Sequence, residues 1–316
     1  MNAETPSFVA AIDPLEPPPT LRRAVYAVGN FDGVHLGHRA VLERARERAR
    51  AAGLPSAALT FEPHPADFFA RRPVVFRLTP FPEKAAALAA LRLTGVVALT
   101  FDADLAAHSA EAFVEDILVR RLDLSCVIVG ADFHFGKGRS GSPAFLQRAG
   151  ERFGFSVEIA DKIEDGGEIV SSSVIRQALE RGDVEVAARK LGRNYRVCGV
   201  VVSGRRLGRT LGVPTANLVL PATNRLAFGV YAVRVGFAER RLEGVASFGV
   251  RPTVDNGAPC LETYIFDFDE DIYGREIEVE IVARIRPELK FRDLEELKAA
   301  MRADMLAARQ LLGSAG

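Results

Sequence analysis

The 316-residue sequence predicts two structural classes in succession: an α/β region built on a parallel sheet, then a small antiparallel β-barrel with a C-terminal helix. Three observations carry this. From about Arg22 to Gly182 apolar runs alternate with helical stretches. Past Lys190 short β-rich runs follow one another with only turn signals between them. The chain then ends on one long stretch of helical spacing.

In the first region "AVYAVGNF", "SAALTFEP", "GVVALTFD", "CVIVGADF" and "FSVEIADK" read as strands. "RAVLERARERARAAG" puts Ala40, Val41, Leu42, Ala45 and Ala49 on one stripe, an amphipathic helix that ends at Gly53. "FPEKAAALAALRL" and "SAEAFVEDILVRRL" are further helices. Strands separated by helices pair in parallel and are covered on both faces. Ligands of such sheets sit at the carboxyl ends of the strands. Glycines, histidines and acids fall there, after "AVYAV", "AALT" and "VIV". The stretch "SSSVIRQALERGDVEVAARKLG" is a helical connector, and the N-terminal residues read as a proline-rich tail. In the second region "YRVCGVVVSG", "GVYAVRVGF", "RRLEGVASFG", "CLETYIFDFD" and "IEVEIVARIRP" are strands. "DLEELKAAMRADMLAARQLL" places Leu294, Leu297, Met301 and Met305 at helical spacing. The expected domains are 22–186 and 187–316.

Hydrophobic residues make up 48% of the chain, enough for real cores. The 41 basic and 41 acidic residues cancel, so no general field attracts nucleic acid or a membrane surface. Cys126, Cys198 and Cys260 lie far apart with no CxxC, which points to a reducing cytoplasm. No signal design opens the chain, and no run approaches the ~20 apolar residues of a membrane span. The expectation is a cytoplasmic protein without nucleic-acid or membrane partners; a weak homo-oligomer is left open.

Between the first strand and its helix stand Gly29, Asn30, Asp32 and Gly33, followed by His35 and His38. A strand, a glycine turn and a helix N-terminus suit an anion, usually phosphate. As a metal pair the histidines need further ligands, and no cysteine is near. They can also be plain helix-start residues. Phosphate contact fits best, because a neutral imidazole donates without a fixed charge. No GK[ST] closes the loop, so it is not a Walker A motif. Downstream, Ser171 and Ser172 precede a helix that carries Arg176, which suits phosphate as well as a simple serine cap. "GADFHFGKGRSG" is a basic glycine-rich loop.

In the second region Thr215 and Asn217 of "VPTANL" share a face if extended. Their hydroxyl and amide oxygens can hold a magnesium ion that keeps waters and phosphate oxygens. Gly204, Gly208 and Gly212, with Arg209 between, allow close approach to a triphosphate, or form a hairpin with glycine turns. Glu262 is an acid in an apolar strand, costly unless paired or functional. Asp267, Asp269, Glu270 and Asp271 read as a solvated turn.

"GNFDGVHLGH" resembles the HxGH signature of nucleotidyltransferases. With "TFEPHP", "DFHFGKGRSG" and "SSSVIR" in that order, it resembles the FMN adenylyltransferase module of the bacterial bifunctional riboflavin kinase/FAD synthetase family. "GVVVSGRRLGRTLGVPTANL", "GVYAV", "GVASFGVRPT" and "ETYIFDFDEDIYGREIEV" resemble its riboflavin kinase module. The resemblance runs from about Tyr26 to the final helix and implies a nucleotidyltransferase-like first domain. It implies riboflavin, FMN and ATP as substrates and Mg²⁺ with ATP, with Glu262 as base of the kinase step. It assigns His35, His38, Ser171, Ser172 and Arg176 to the leaving pyrophosphate. Pro63, Pro65 and Phe69 become an apolar flavin shelf, and Asp132 joins that binding set near the adenine or ribose. Two departures stand out. His134 replaces a usual Arg, which bears on a phosphate contact, and "ASFGVRPT" replaces a more common "ANIGxRPT", a change expected to matter little. Two other readings are a single-activity nucleotidyltransferase with an unrelated barrel and a catalytically silent flavin-binding regulator. Intact Thr215, Asn217 and Glu262 argue against both.

Overall fold

The computed structural model describes residues 7–203, 215–250 and 258–314, and the chain divides into the units Met1–Ser172 and Ser173–Gly316. In the first unit six strands pair in parallel: Val9–Ile12 (β1), Val25–Val28 (β2), Ser56–Glu62 (β3), Gly95–Thr100 (β4), Cys126–Gly130 (β5) and Ser156–Ala160 (β6). Their spatial order is β1-β4-β3-β2-β5-β6. The five expected strands form, and β1 corrects the reading of the N-terminal stretch as tail. It is an edge strand paired with Gly95–Ala98 of β4. The pairing depends on Gly95, where a Cβ would lie 2.5 Å from the Val9 carbonyl oxygen.

The helix Leu36–Ala52 (α1) buries Val41, Leu42, Ala45 and Ala49, as its stripe predicts, while Ala40 lies half-buried at the margin. Gly53 stops it in the left-handed conformation with φ 66°. Successive strand residues then feed opposite cores: Tyr26 and Val28 one face, Val25 and Ala27 the other. Short helices Pro65–Ala70 (α2) and Phe81–Ala90 (α3) follow β3, Ala103–Ala107 (α4) and Ala110–Ala112 (α5) follow β4, Pro143–Phe153 (α6) follows β5, and the two-stranded ladder of Glu164–Asp165 (β7) and Glu168–Ile169 (β8) follows β6.

The connector is two helices, Ser172–Arg181 (α7) and Val184–Leu191 (α8), broken at Gly182 with φ 85°. The Ala227 amide donates to the Leu179 carbonyl, and Arg284 donates to that of Arg181. The expected boundary at 186/187 falls inside α8.

The second unit holds a six-stranded antiparallel sheet: Tyr195–Val200 (β9), Ala216–Val219 (β10), Gly229–Phe237 (β11), Arg240–Val250 (β12), Pro259–Ile265 (β13) and Glu276–Pro287 (β14). The order is β10-β13-β12-β11-β14-β9, and a bridge from Val202 to Asn217 brings the two edges together into a barrel. The C-terminal helix, Leu294–Ser314, packs Met305, Ala308 and Leu312 on Val230, Ala232 and Phe266. Its buried face corrects the expected stripe, since Leu294 is exposed while Asp304 is buried. The reason is an ion pair: Arg286 of β14 holds the Asp304 carboxylate with two bonds of 2.8 and 2.7 Å.

Candidate functional site

Leaving β2, the chain turns through Gly29–His35 before entering α1. Three residues of this turn have positive φ: Phe31 at 48°, Gly33 at 95° and Val34 at 41°. For Phe31 and the β-branched Val34 this costs about 1–3 kcal/mol each and persists only where surroundings enforce it. The enforcement is visible. The buried Asp32 carboxylate accepts the amides of Leu78 at 3.0 Å and Thr79 at 2.9 Å. The Thr60 hydroxyl donates to the Asn30 carbonyl at 3.1 Å. From the other side, the Ser172 hydroxyl donates to the Asp32 carbonyl at 2.8 Å.

His35 then caps α1. The His38 amide donates to its Nδ1 at 3.2 Å, so a neutral His35 carries its proton on Nε2 and is a donor there. The two imidazoles stack with centroids 3.6 Å apart, and Phe31 meets His38 edge-on at 5.3 Å. Between them Gly37 is closely surrounded: a Cβ would stand 3.2 Å from the His35 ring and from the Val170 carbonyl, tighter than ordinary contact. Ser171 and Ser172 follow that residue directly, so these two serines lie beside the start of α1. Arg176 is four residues further along α7, half-buried. Gly29, Asn30, Asp32, Gly33, His35, His38, Ser171 and Ser172 are thus brought together, with hydrogen-bond donors clustered at two helix starts. Among the described residues no three His, Cys, Asp or Glu side chains are grouped for a metal ion.

At the carboxyl end of β3, Pro63 is exposed, Pro65 opens α2, and Phe69 is 68% exposed. Phe69 packs edge-on with Phe68 at 5.3 Å and Phe101 at 5.8 Å, a half-open aromatic platform. Asp132 is exposed and lies 3.3 Å from the Lys162 ammonium. The neighbouring His134 turns its Nδ1 to the Asp132 carbonyl at 2.9 Å.

Sequence reasoning missed a charged group behind the turn. Lys84 of α3 is 1% exposed and donates to Glu62 at 2.7 Å and to the Thr60 hydroxyl at 3.1 Å. Arg77 grips the same Glu62 carboxylate with bonds of 2.9 and 2.7 Å. Burial alone would raise the Glu62 carboxyl, but the Arg77 hydrogen bonds and the Lys84 charge outweigh it and hold the group below its ordinary value. For Lys84 burial wins over Glu62, and its ammonium is held below the usual lysine range. The available signal was one lysine in an apolar helix, "FPEKAAALAALRL".

In the barrel, register does the assembling. Asn217 of β10 and Ser247 of β12 are both directly opposed to Glu262 of β13. Opposed residues of an antiparallel ladder share a face, so Asn217, Glu262 and Ser247 form one row. Asn217 is buried, Glu262 half-buried and Ser247 exposed. Ser247 is one of the two departing residues of "ASFGVRPT", with Phe248 the other, and it stands beside the proposed base. The Asn217 amide nitrogen donates to the Thr215 carbonyl at 3.2 Å. A hydroxyl and an amide oxygen, both hard donors, fit magnesium, which takes few protein ligands and retains its other oxygens. Gly204, Gly208, Gly212 and Arg209 lie outside the described residues.

Residues 18–174 match the FAD synthetase family model and residues 191–312 the riboflavin kinase model. A bifunctional riboflavin kinase/FMN adenylyltransferase of Escherichia coli strain K12 is 42% identical over 290 residues, covering 92% of this chain and 93% of that protein. Its counterpart from Pseudomonas fluorescens is 43% identical over 294 residues, covering 93% and 94%. A solved structure titled a macrolide-efflux protein from Streptococcus pneumoniae superposes with TM-score 0.84 at 30% identity, over 96% of this chain and 99% of that one. No helix among the described residues is long and apolar enough to cross a membrane.

Proposed function

Since the chain belongs to the bifunctional riboflavin kinase/FMN adenylyltransferase family, and converts riboflavin to FMN and FMN to FAD with ATP, we propose which of its residues carry each step. The observation that carries the kinase assignment is the row Asn217–Glu262 across β10 and β13. Riboflavin's terminal hydroxyl is a poor nucleophile, and Glu262 accepts its proton as that oxygen attacks the γ-phosphate of ATP and ADP leaves. Thr215 and Asn217 would hold the magnesium ion, which would supply charge neutralisation on the transferring phosphoryl group. Gly204, Gly208 and Arg209 remain assigned to the triphosphate by their sequence pattern.

The second step needs no base, because the FMN phosphate, with second pKa about 6, is already largely ionised at neutral pH. It attacks the α-phosphate of ATP. His35 and His38, with Ser171, Ser172 and Arg176, stabilise the leaving pyrophosphate, and Gly29, Asn30 and Gly33 let it approach the backbone. Asp32 serves by shaping the turn. The Pro63, Pro65 and Phe69 platform takes the flavin, with Asp132 near the adenine or ribose. Three cysteines far apart in the chain, two of them buried, suit a reducing compartment such as the cytoplasm.

The test is a product chromatogram with riboflavin, ATP and magnesium. Glu262→Gln is expected to lower FMN formation ~10²–10⁴-fold and leave FMN-to-FAD conversion nearly intact. His38→Ala is expected to do the reverse, mainly in kcat. Equal damage to both steps by either variant would contradict the assignment.

A further inference from the structure

We propose that Lys84, Glu62 and Arg77 are positioning residues for adenylyl transfer, forming with Thr60 a partly buried brace that holds the turn Gly29–His35 in the shape that aims His35 and His38. The inference rests on the phosphate role given to those histidines above.

The brace can be followed atom by atom. The Asn30 carbonyl takes the Thr60 hydroxyl at 3.1 Å, and that hydroxyl takes the Lys84 ammonium at 3.1 Å. Lys84 binds Glu62 at 2.7 Å, and Glu62 is gripped by the fork of Arg77. Arg77 returns to the turn, its Nε 3.7 Å from the Asp32 carboxylate. The residues after Arg77, Leu78 and Thr79, donate their amides to that same carboxylate. Two cations and two anions therefore close a loop from Asn30 to Asp32, the residues that flank the strained Phe31.

Stability alone is a poor reason for such a group. Buried ion pairs rarely stabilise more than well-packed apolar side chains, and a fully buried lysine is rare. What four linked charges, Lys84 and Asp32 buried and Glu62 and Arg77 half-buried, do provide is a single geometry, because a shift of Glu62 or Arg77 leaves a buried charge without its partner. Here that geometry belongs to a backbone with positive φ at Phe31 and Val34, one residue before the His35 cap. None of the three charged residues needs to touch substrate.

Lys84→Met keeps much of the volume and removes the charge. In the full chain it is expected to lower kcat for FAD formation ~10–100-fold, the scale of loss from small misplacements. KM for FMN and for ATP should stay within ~3-fold, because uniform binding is not what is removed. Riboflavin phosphorylation by the same protein should be unchanged. Thr60→Val, which removes one hydroxyl and no charge, covers the case in which Lys84→Met unfolds the first unit; its kcat should fall in the same direction. The imidazole NMR signals of His35 and His38 should shift in both variants. A folded Thr60→Val protein with parental kcat overturns the proposal, as does a loss confined to KM. His38→Ala separates the two readings. Parental FAD formation in that variant defeats the phosphate role itself, whereas a loss there without one in the brace variants defeats the brace alone.

Discussion

Glu62 shows how one residue reports on its neighbours. Burial pushes its carboxyl upward, yet Arg77 and Lys84 together hold it below the ordinary 4.5. A carboxyl depressed in the folded state binds fewer protons than in the unfolded chain across that interval. Its stabilisation is therefore complete above about 4.5 and is lost as pH falls through the folded value. Lys84→Met removes one of the two cations, so the folded value rises. Acid loss of the first unit should then begin at higher pH. Hydrogen exchange of β2 and β3 amides between about pH 3 and 6 measures this. A protection profile superposable on the parent's would show that the Lys84 charge does not reach Glu62.

At the scale of the element, the hairpin β11–β12 carries a visible cost. Phe237 pairs with Arg240, so the turn is the two residues Ala238 and Glu239, with φ of 47° and 64°. Two consecutive positive φ values make a turn shape that favours Asn-Gly, because its twist matches the strands. Neither residue present is suited to it. Replacing the pair, Ala238→Asn with Glu239→Gly, should stabilise the barrel by about 1 kcal/mol. For a unit of this size that is roughly 3 °C in the thermal midpoint. An unchanged or lower midpoint by calorimetry would mean that the strain is relieved in solution by another route.

On the scale of the whole molecule, the question is where one enzyme ends and the other begins. The residues assigned to the kinase step all lie in Ser173–Gly316. So does the connector from Ser173 onward, in which Ile175, Ala178, Leu179 and Val184 are at most 1% exposed. A fragment cut at 187 discards these side chains, the larger ones worth about 1.5–3 kcal/mol each. That is a large part of a domain's total of about 5–15 kcal/mol. A fragment from Ser173 to Gly316 is expected to fold and to make FMN from riboflavin, ATP and magnesium. The shorter fragment should melt lower or aggregate. If the longer fragment is folded by circular dichroism and makes no FMN, the kinase site requires the first unit.

What the sequence determined by itself was local in origin. The strands β2 to β6, α1 with its stop at Gly53, and the barrel strands other than β10 follow from apolar periodicity and turn residues within short windows. The histidine turn was legible because glycine, histidine and the helix start are neighbours in the chain, and motif order did the same for Thr215, Asn217 and Glu262. Tertiary structure alone decided the rest. Strand β1 was hidden because its partner Gly95 lies far along the chain. Asp304 turned inward because Arg286 waits on a different element. Ser172 reaches Asp32 across a separation of 140 residues, and Ser247 meets Glu262 only through strand register. Lys84 looks like a helix-surface lysine until Glu62 and Thr60 are placed above it. A charge is tolerable in a core only when its partner is present, and the distance to that partner is a property of the fold, not of the window in which the residue is read.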